Sequence, residues 1–203
     1  MPEVVDELVG LEGVVAACLT FIIATCVRAS TARLAKWEDI DPTSIWTVPR
    51  ADLKDGKHRK ASFVVPLNSL ALDVLDALKM RRSSSPYVFE GSGGQPIHDM
   101  DLVCLVRRLR RSHDDWRDPQ TKKPFTTHGF RASFKTWSRE ANIKIAAHIP
   151  VRELAELVLG HRIGSDVEQA YDRSTLLDAR REITDLWSSH CRGAKILQFP
   201  TRA

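Results

Sequence analysis

Apolar positions near the start of the chain first recur at near-helical spacing (Leu8, Leu11, Val14, Val15) and then run to Val27, interrupted only by Thr20 and Thr25. Met1–Val27 therefore reads as helix, its second half apolar all round as in a buried core helix. The run Val14–Val27 has 14 residues with acids rather than bases before it, too short for a membrane span and unlike a secretory leader. Ser30–Lys36 adds a further short helix. The pattern then changes. Trp37–Ile40, Ile45–Val48 and Ser62–Val65 are short and rich in β-branched or aromatic residues, with Asp41-Pro42 and Asp55-Gly56 as turn formers between them. They predict three antiparallel strands, the last pair joined by a basic loop over about 50–60.

Helical spacing returns over Ser69–Arg82, where Leu72, Val74, Leu75 and Leu78 are apolar. Tyr87-Val88-Phe89 reads as a brief strand and Asp99–His113 as a basic amphipathic helix. Thr127 is placed to cap a helix running to about Glu140. Val151–Leu159 is a further helix, ended by Gly160. Ser165-x-x-Glu168 is a capping-box pattern that opens a long helix to about Trp187. The predicted fold is mainly α with a small three-stranded antiparallel sheet. One domain spans residues 1–192, followed by a tail, 193–203, that holds the apolar patch Ile196-Leu197-Gln198-Phe199.

Composition sharpens this only in part. Of 203 residues, 43% are hydrophobic and 28% charged, as in an ordinary soluble domain, and the net charge is +4. The excess is local. Ten Lys or Arg face five acids between Asp101 and Glu140, and five face two between Arg50 and Lys60, as phosphate binding requires. Cys18, Cys26, Cys104 and Cys191 form no C-x-x-C pair and read as buried free thiols in a reducing compartment. With no GxxxxGK[ST] pattern and no acidic cluster, neither a cofactor nor a metal is expected.

Four scattered elements carry chemistry. Arg28 ends the buried helix, where a charge needs water or a partner such as Glu38. His128-Gly129-Phe130-Arg131 sets His128 and Arg131 at i and i+3 near a helix start, a place suited to phosphate. His161 follows Leu159-Gly160 just past a helix end. Tyr171 lies ten residues later among polar neighbours. Each signal alone is common.

Together they stand in a known order. The chain resembles the tyrosine recombinases, or phage integrases, and most nearly those of the satellite-phage type. The resemblance runs from about Leu11 to Trp187 through TCVRASTARLAKWEDID (Thr25–Asp41), WTVPRADLKDGKHRKASFVVPL (Trp46–Leu67), THGFRASFKTW (Thr127–Trp137) and LGHRIGSDVEQAYDRSTLLDARREITDLW (Leu159–Trp187). It implies a tyrosine-recombinase catalytic domain. Arg28 and Arg131 match the two catalytic arginines, His128 the histidine of the HxxR box, His161 the second histidine and Tyr171 the nucleophile. Lys54 matches the hairpin lysine, with Lys57 as the fallback. The implied activity is metal-independent cleavage and rejoining of double-stranded DNA at attachment-type sites, through a 3′-phosphotyrosyl intermediate, by a tetramer of the full-length form.

Three departures bear on activity. Thr31 stands where the family usually has an acid, leaving Glu38 or Asp39 as substitutes, and Cys26 stands where glycine is common. The N-terminal core-binding domain that family members carry is expected to be absent. That leaves an alternative: a truncated, catalytically weak relative that binds DNA or a full-length recombinase.

Overall fold

The structure is a computed structural model and describes residues 1–54, 56–58, 61–118, 121–146, 149–161 and 173–193. The single long helix expected at the start is two. Helix α1 (Pro2–Gly10) and α2 (Val14–Thr25) are separated at Gly13, whose φ of +116° favours glycine. Helix α2 is the centre of the core: every residue from Cys18 to Thr25 is buried. Its Phe21 packs against Trp46 at 5.5 Å and Phe89 at 5.3 Å between ring centroids. No helix among the described residues is long and apolar enough to cross a membrane.

Helix α3 (Ala29–Arg33) follows directly. Strands β1 (Ile45–Val48) and β2 (Phe63–Pro66) pair antiparallel with Trp46 opposite Val65. The first of the three expected strands is reduced to one bridge, Ile40 to Trp46, because residues 37–39 form a 3-10 turn. The Asp41 carboxylate accepts from the backbone of Thr43 and Ile45 and closes the chain into a tight turn before a longer ladder can form. The expected fold class holds, with a two-stranded sheet. The brief strand at Tyr87–Phe89 survives as a bridge from Tyr87 to Lys36.

Helix α4 (Ser69–Lys79) is capped by Asn68, which is fully buried and ties three helices. Its side chain accepts from Ala71 N at 3.1 Å and donates to the carbonyls of Ala24 at 2.8 Å and Thr184 at 2.9 Å. Helix α5 (Asp99–Ser112) opens with a capping box between His98 and Asp101. Helix α6 (Gly129–Glu140) is capped by Thr126, whose hydroxyl accepts from Gly129 N at 2.9 Å, rather than by Thr127. Helix α7 (Val151–Val158) follows.

The last described helix, α8 (Arg173–Arg192), buries Ala179, Ile183, Trp187 and Cys191, one residue per turn. The Trp187 indole donates to the Ile23 carbonyl at 2.8 Å and its ring meets Phe134 and Trp137 at 5.4 and 5.1 Å. The predicted capping box at Ser165–Glu168 and the patch Ile196–Phe199 lie outside the described residues. All four cysteines are free; Cys18, Cys26 and Cys191 are buried as expected, whereas Cys104 is exposed on α5.

Candidate active site at the ends of α2, α6 and α7

Helix α2 stops in a left-handed turn. Cys26 has φ 57°, a conformation that costs a side-chain-bearing residue about 1–2 kcal/mol. This explains why glycine would be at home there. The turn aims the Cys26 carbonyl at Arg131, which donates to it through Nη1. It also leaves Arg28 as the N-cap of α3, partly buried, with Thr31 buried one turn on.

Arg131 is the hub. Only 5% of it is exposed, and its Nη2 donates to the Leu159 carbonyl at 2.7 Å and lies 3.4 Å from His161 Nε2. Burial pushes the guanidinium down to about 10, and the adjacent Arg28 charge adds to this against Cys26 and Glu156. It stays cationic at neutral pH. Of five guanidinium N–H donors, two go to carbonyls and one faces His161. Among the described residues Nε–H and one Nη1–H take no partner, and they can serve an anion.

Arg28, Thr31, Leu53, Phe63, Arg131, Leu159 and Gly160, with Val27, line one small hollow. The Thr31 hydroxyl donates to the Asp52 carbonyl at 3.5 Å and so braces the loop that carries Leu53 and Lys54. Phe63 faces Gly160, where an added Cβ would stand 3.3 Å from the ring. Behind Phe63 sits a further guanidinium, Arg180 of α8, 5.7 Å from the ring centroid and pushed down to about 10 by burial.

The end of α7 fixes His161. Gly160, at φ +67°, donates its N–H to the Leu157 carbonyl at 3.0 Å, and His161 N–H reaches back to the Glu156 carbonyl at 2.9 Å. These two bonds are a Schellman motif. The ring returns to the same residue: Nδ1 lies 2.6 Å from Glu156 Oε2. The other carboxylate oxygen pairs with Lys135 of α6. Partial burial pushes the Glu156 carboxyl up, but the hydrogen bonds and charges of Lys135 and His161 outweigh it and hold the group below its usual range.

Of the six residues singled out by sequence, Arg28 and Arg131 share the hollow, and His161 reaches it through Arg131. His128 does not join them. It is exposed at the N-cap of α6 and its side chain forms no hydrogen bond to a described residue, because Arg131 turns inward to the carbonyls while His128 faces out. Lys54 is exposed in the turn beside Leu53, and the fallback Lys57 is exposed in the next turn. Tyr171 lies outside the described residues. Glu38 pairs with Lys36 at 3.8 Å instead of Arg28. Asp39 stands among Lys36, Glu38 and Asp52, and burial pushes its carboxyl up. The carboxylate whose charge supports Arg131 is Glu156, which the sequence reading missed.

The profile of the phage integrase family matches residues 10–176, most of the chain. The chain belongs to this family. It is similar to the prophage integrase IntA of Escherichia coli (strain K12), 23% identical over 175 residues, covering 85% of this chain and 37% of the relative. It is also similar to the integrase of Enterobacteria phage P4, 28% identical over 182 residues, 83% of this chain and 38% of the relative. The latter likeness is in line with the satellite-phage type. This phage integrase family chain thus spans under two-fifths of the length of those relatives. Among solved structures, the Tn1549 transposon integrase in complex with circular intermediate DNA superposes with a TM-score of 0.57 at 15% identity, over 89% of this chain and 61% of that one. The XerA recombinase superposes with a TM-score of 0.56 at 18% identity, over 93% and 62%. The fold is therefore that of tyrosine-recombinase catalytic domains.

Proposed function

We propose that the chain is the catalytic part of a site-specific DNA recombinase that cleaves and rejoins strands through Tyr171. The observation that carries this reading is the pair Arg28 and Arg131 in the wall of one small hollow, with His161 bonded to the second. Two guanidinium forks suit the two non-bridging oxygens of one phosphate diester. They offset the charge that grows on five-coordinate phosphorus.

A tyrosine hydroxyl, with an ordinary pKa of about 10, is a weak nucleophile at neutral pH and gains from such a cationic site. In the proposed reaction its oxygen forms a bond to phosphorus and the bond to the 5′ oxygen breaks. The phenol proton is assigned to His128, although its side chain stands exposed at the start of α6, outside the hollow. Lys54, or Lys57 beside it, supplies a proton to the departing 5′ oxygen. Reversal rejoins the strand to a new 5′ hydroxyl, with no metal and no nucleotide in the balance. The partner is double-stranded DNA, the full-length form acts as a tetramer with residues 193–203 packing on a neighbour, and the setting is the bacterial cytoplasm. Residues 1–192 form the catalytic domain.

A second reading rests on Thr31. Its hydroxyl is spent on the Asp52 carbonyl where a carboxylate would brace the cations. On that reading the chain binds DNA or a full-length recombinase and cleaves weakly. Incubation with a nicked suicide duplex separates the two: an SDS-stable covalent adduct that disappears in Tyr171→Phe is expected. Retained binding without an adduct, on a site that a full-length relative cleaves, favours the second reading.

A further inference from the structure

Two polar contacts of the His161 ring bear on where its proton resides. Arg131 Nη2 lies 3.4 Å from Nε2, and a guanidinium only donates, so Nε2 must accept. On the other edge Nδ1 lies 2.6 Å from Glu156 Oε2, a carboxylate whose other oxygen pairs with Lys135, so Nδ1 donates. Both contacts demand the same form, with the proton on Nδ1. The hydrogen bond at one imidazole nitrogen generally fixes the role of the other.

The backbone removes the remaining freedom. The Schellman motif binds His161 N–H to the carbonyl of Glu156, so one residue holds its partner at main chain and ring together. Among the described residues, the charged groups that face this pair from the packed elements are Arg131 and Lys135 of α6, with Arg28 beyond Arg131. Both α6 cations oppose a positive charge on the ring. Glu156 is the acid that counters them.

We propose that Glu156 is a positioning residue that fixes His161 as its Nδ1–H tautomer, leaving Nε2 proton-free beside the guanidinium of Arg131. An anion that enters the hollow then meets a ring that can gain a proton from water only at Nε2. Gaining it ends the ring's bond from Arg131, and Glu156 balances the added charge. The kinetic consequence rests on the recombinase reading; the tautomer does not.

The test is long-range ¹H–¹⁵N correlation on histidine-labelled chain without DNA, above the pH at which imidazoles protonate. His161 is assigned by its loss in His161→Asn. The wild type is expected to show a pyrrole-type Nδ1 and a pyridine-type Nε2. Glu156→Gln keeps this pattern, since its amide oxygen still accepts, whereas Glu156→Leu shifts the ring to Nε2–H or a mixture. With the nicked suicide duplex at saturation, Glu156→Leu is expected to form adduct about tenfold or more slowly, and Glu156→Gln to recover most of that loss. An Nε2–H ring in the wild type overturns the proposal even if Glu156→Leu fails to fold, as does an unchanged tautomer in a folded Glu156→Leu. A fixed Nδ1–H ring in a wild type that forms no adduct sinks the recombinase reading instead.

Discussion

Arg131 donates to the carbonyl oxygen of Leu159 at 2.7 Å, so a cation assigned to phosphate also joins α6 to the end of α7. The same guanidinium holds the Cys26 carbonyl at the end of α2. Both carbonyls are buried with their residues, and an unmatched buried acceptor costs about 1–3 kcal/mol. Arg131→Lys keeps the charge but cannot span both oxygens. It is expected to lower the stability of the DNA-free chain by about 1–3 kcal/mol, read from the midpoint of urea unfolding. An unchanged midpoint contradicts the bridging role.

Acid should loosen the same corner. The Glu156 carboxyl sits below its ordinary value of 4.5 in the folded chain. Its pairing with Lys135 and His161 therefore stabilises the fold fully above that value and is lost as pH falls through the lower folded value. Stability measured from neutral pH into this acid window should fall more steeply in the wild type than in Glu156→Gln. Parallel curves would show that the carboxylate contributes nothing there.

Gly160 is required twice, by its φ of +67° and by the Phe63 ring 3.3 Å from the missing Cβ. Gly160→Ala should cost about 1–2 kcal/mol of stability and slow adduct formation by displacing His161. Gly193 is strained alike, at φ +61° with Pro2 3.3 Å from its Cβ position, but lies at the far end of α8. Gly193→Ala should cost similar stability without slowing the reaction. Equal slowing in both variants would reduce the effect at Gly160 to general destabilisation.

These positions show how much the chain's pattern discloses. The buried α2 was legible because the run Val14–Val27, apolar but for Thr20 and Thr25, leaves no polar face. The break at Gly13 was not legible, since near-helical spacing continues across it and only the backbone angle betrays the turn. The strand expected at Trp37–Ile40 failed for a local reason, the Asp41 side chain closing the turn. Arg28 and Arg131 were found by motif order. Glu156 was passed over because it reads as a solvated helix residue. The signal lay in the spacing: with Gly160 ending the helix, Glu156 occupies the position whose carbonyl a Schellman turn gives to His161.

Lys54 is exposed beside Leu53, in the loop that Thr31 braces. If it protonates the departing 5′ oxygen, Lys54→Ala should slow cleavage of ordinary DNA by about 10²–10⁴-fold. A duplex with sulfur at the 5′ bridging position leaves as a thiolate and needs no such proton, so it should be cleaved by Lys54→Ala at nearly the wild-type rate. A defect of equal size on both substrates removes Lys54 from that role, and the same pair of substrates then tests Lys57.

The most direct measurement is mass-spectrometric mapping of the adduct trapped on the suicide duplex. The chain has two tyrosines, Tyr87 and Tyr171. A 3′-phosphoryl nucleotide on the peptide that contains Tyr171, absent in Arg131→Ala, is the expected result. A nucleotide on Tyr87, or DNA bound tightly with neither tyrosine modified, contradicts the assignment of this chain as a strand-cleaving enzyme.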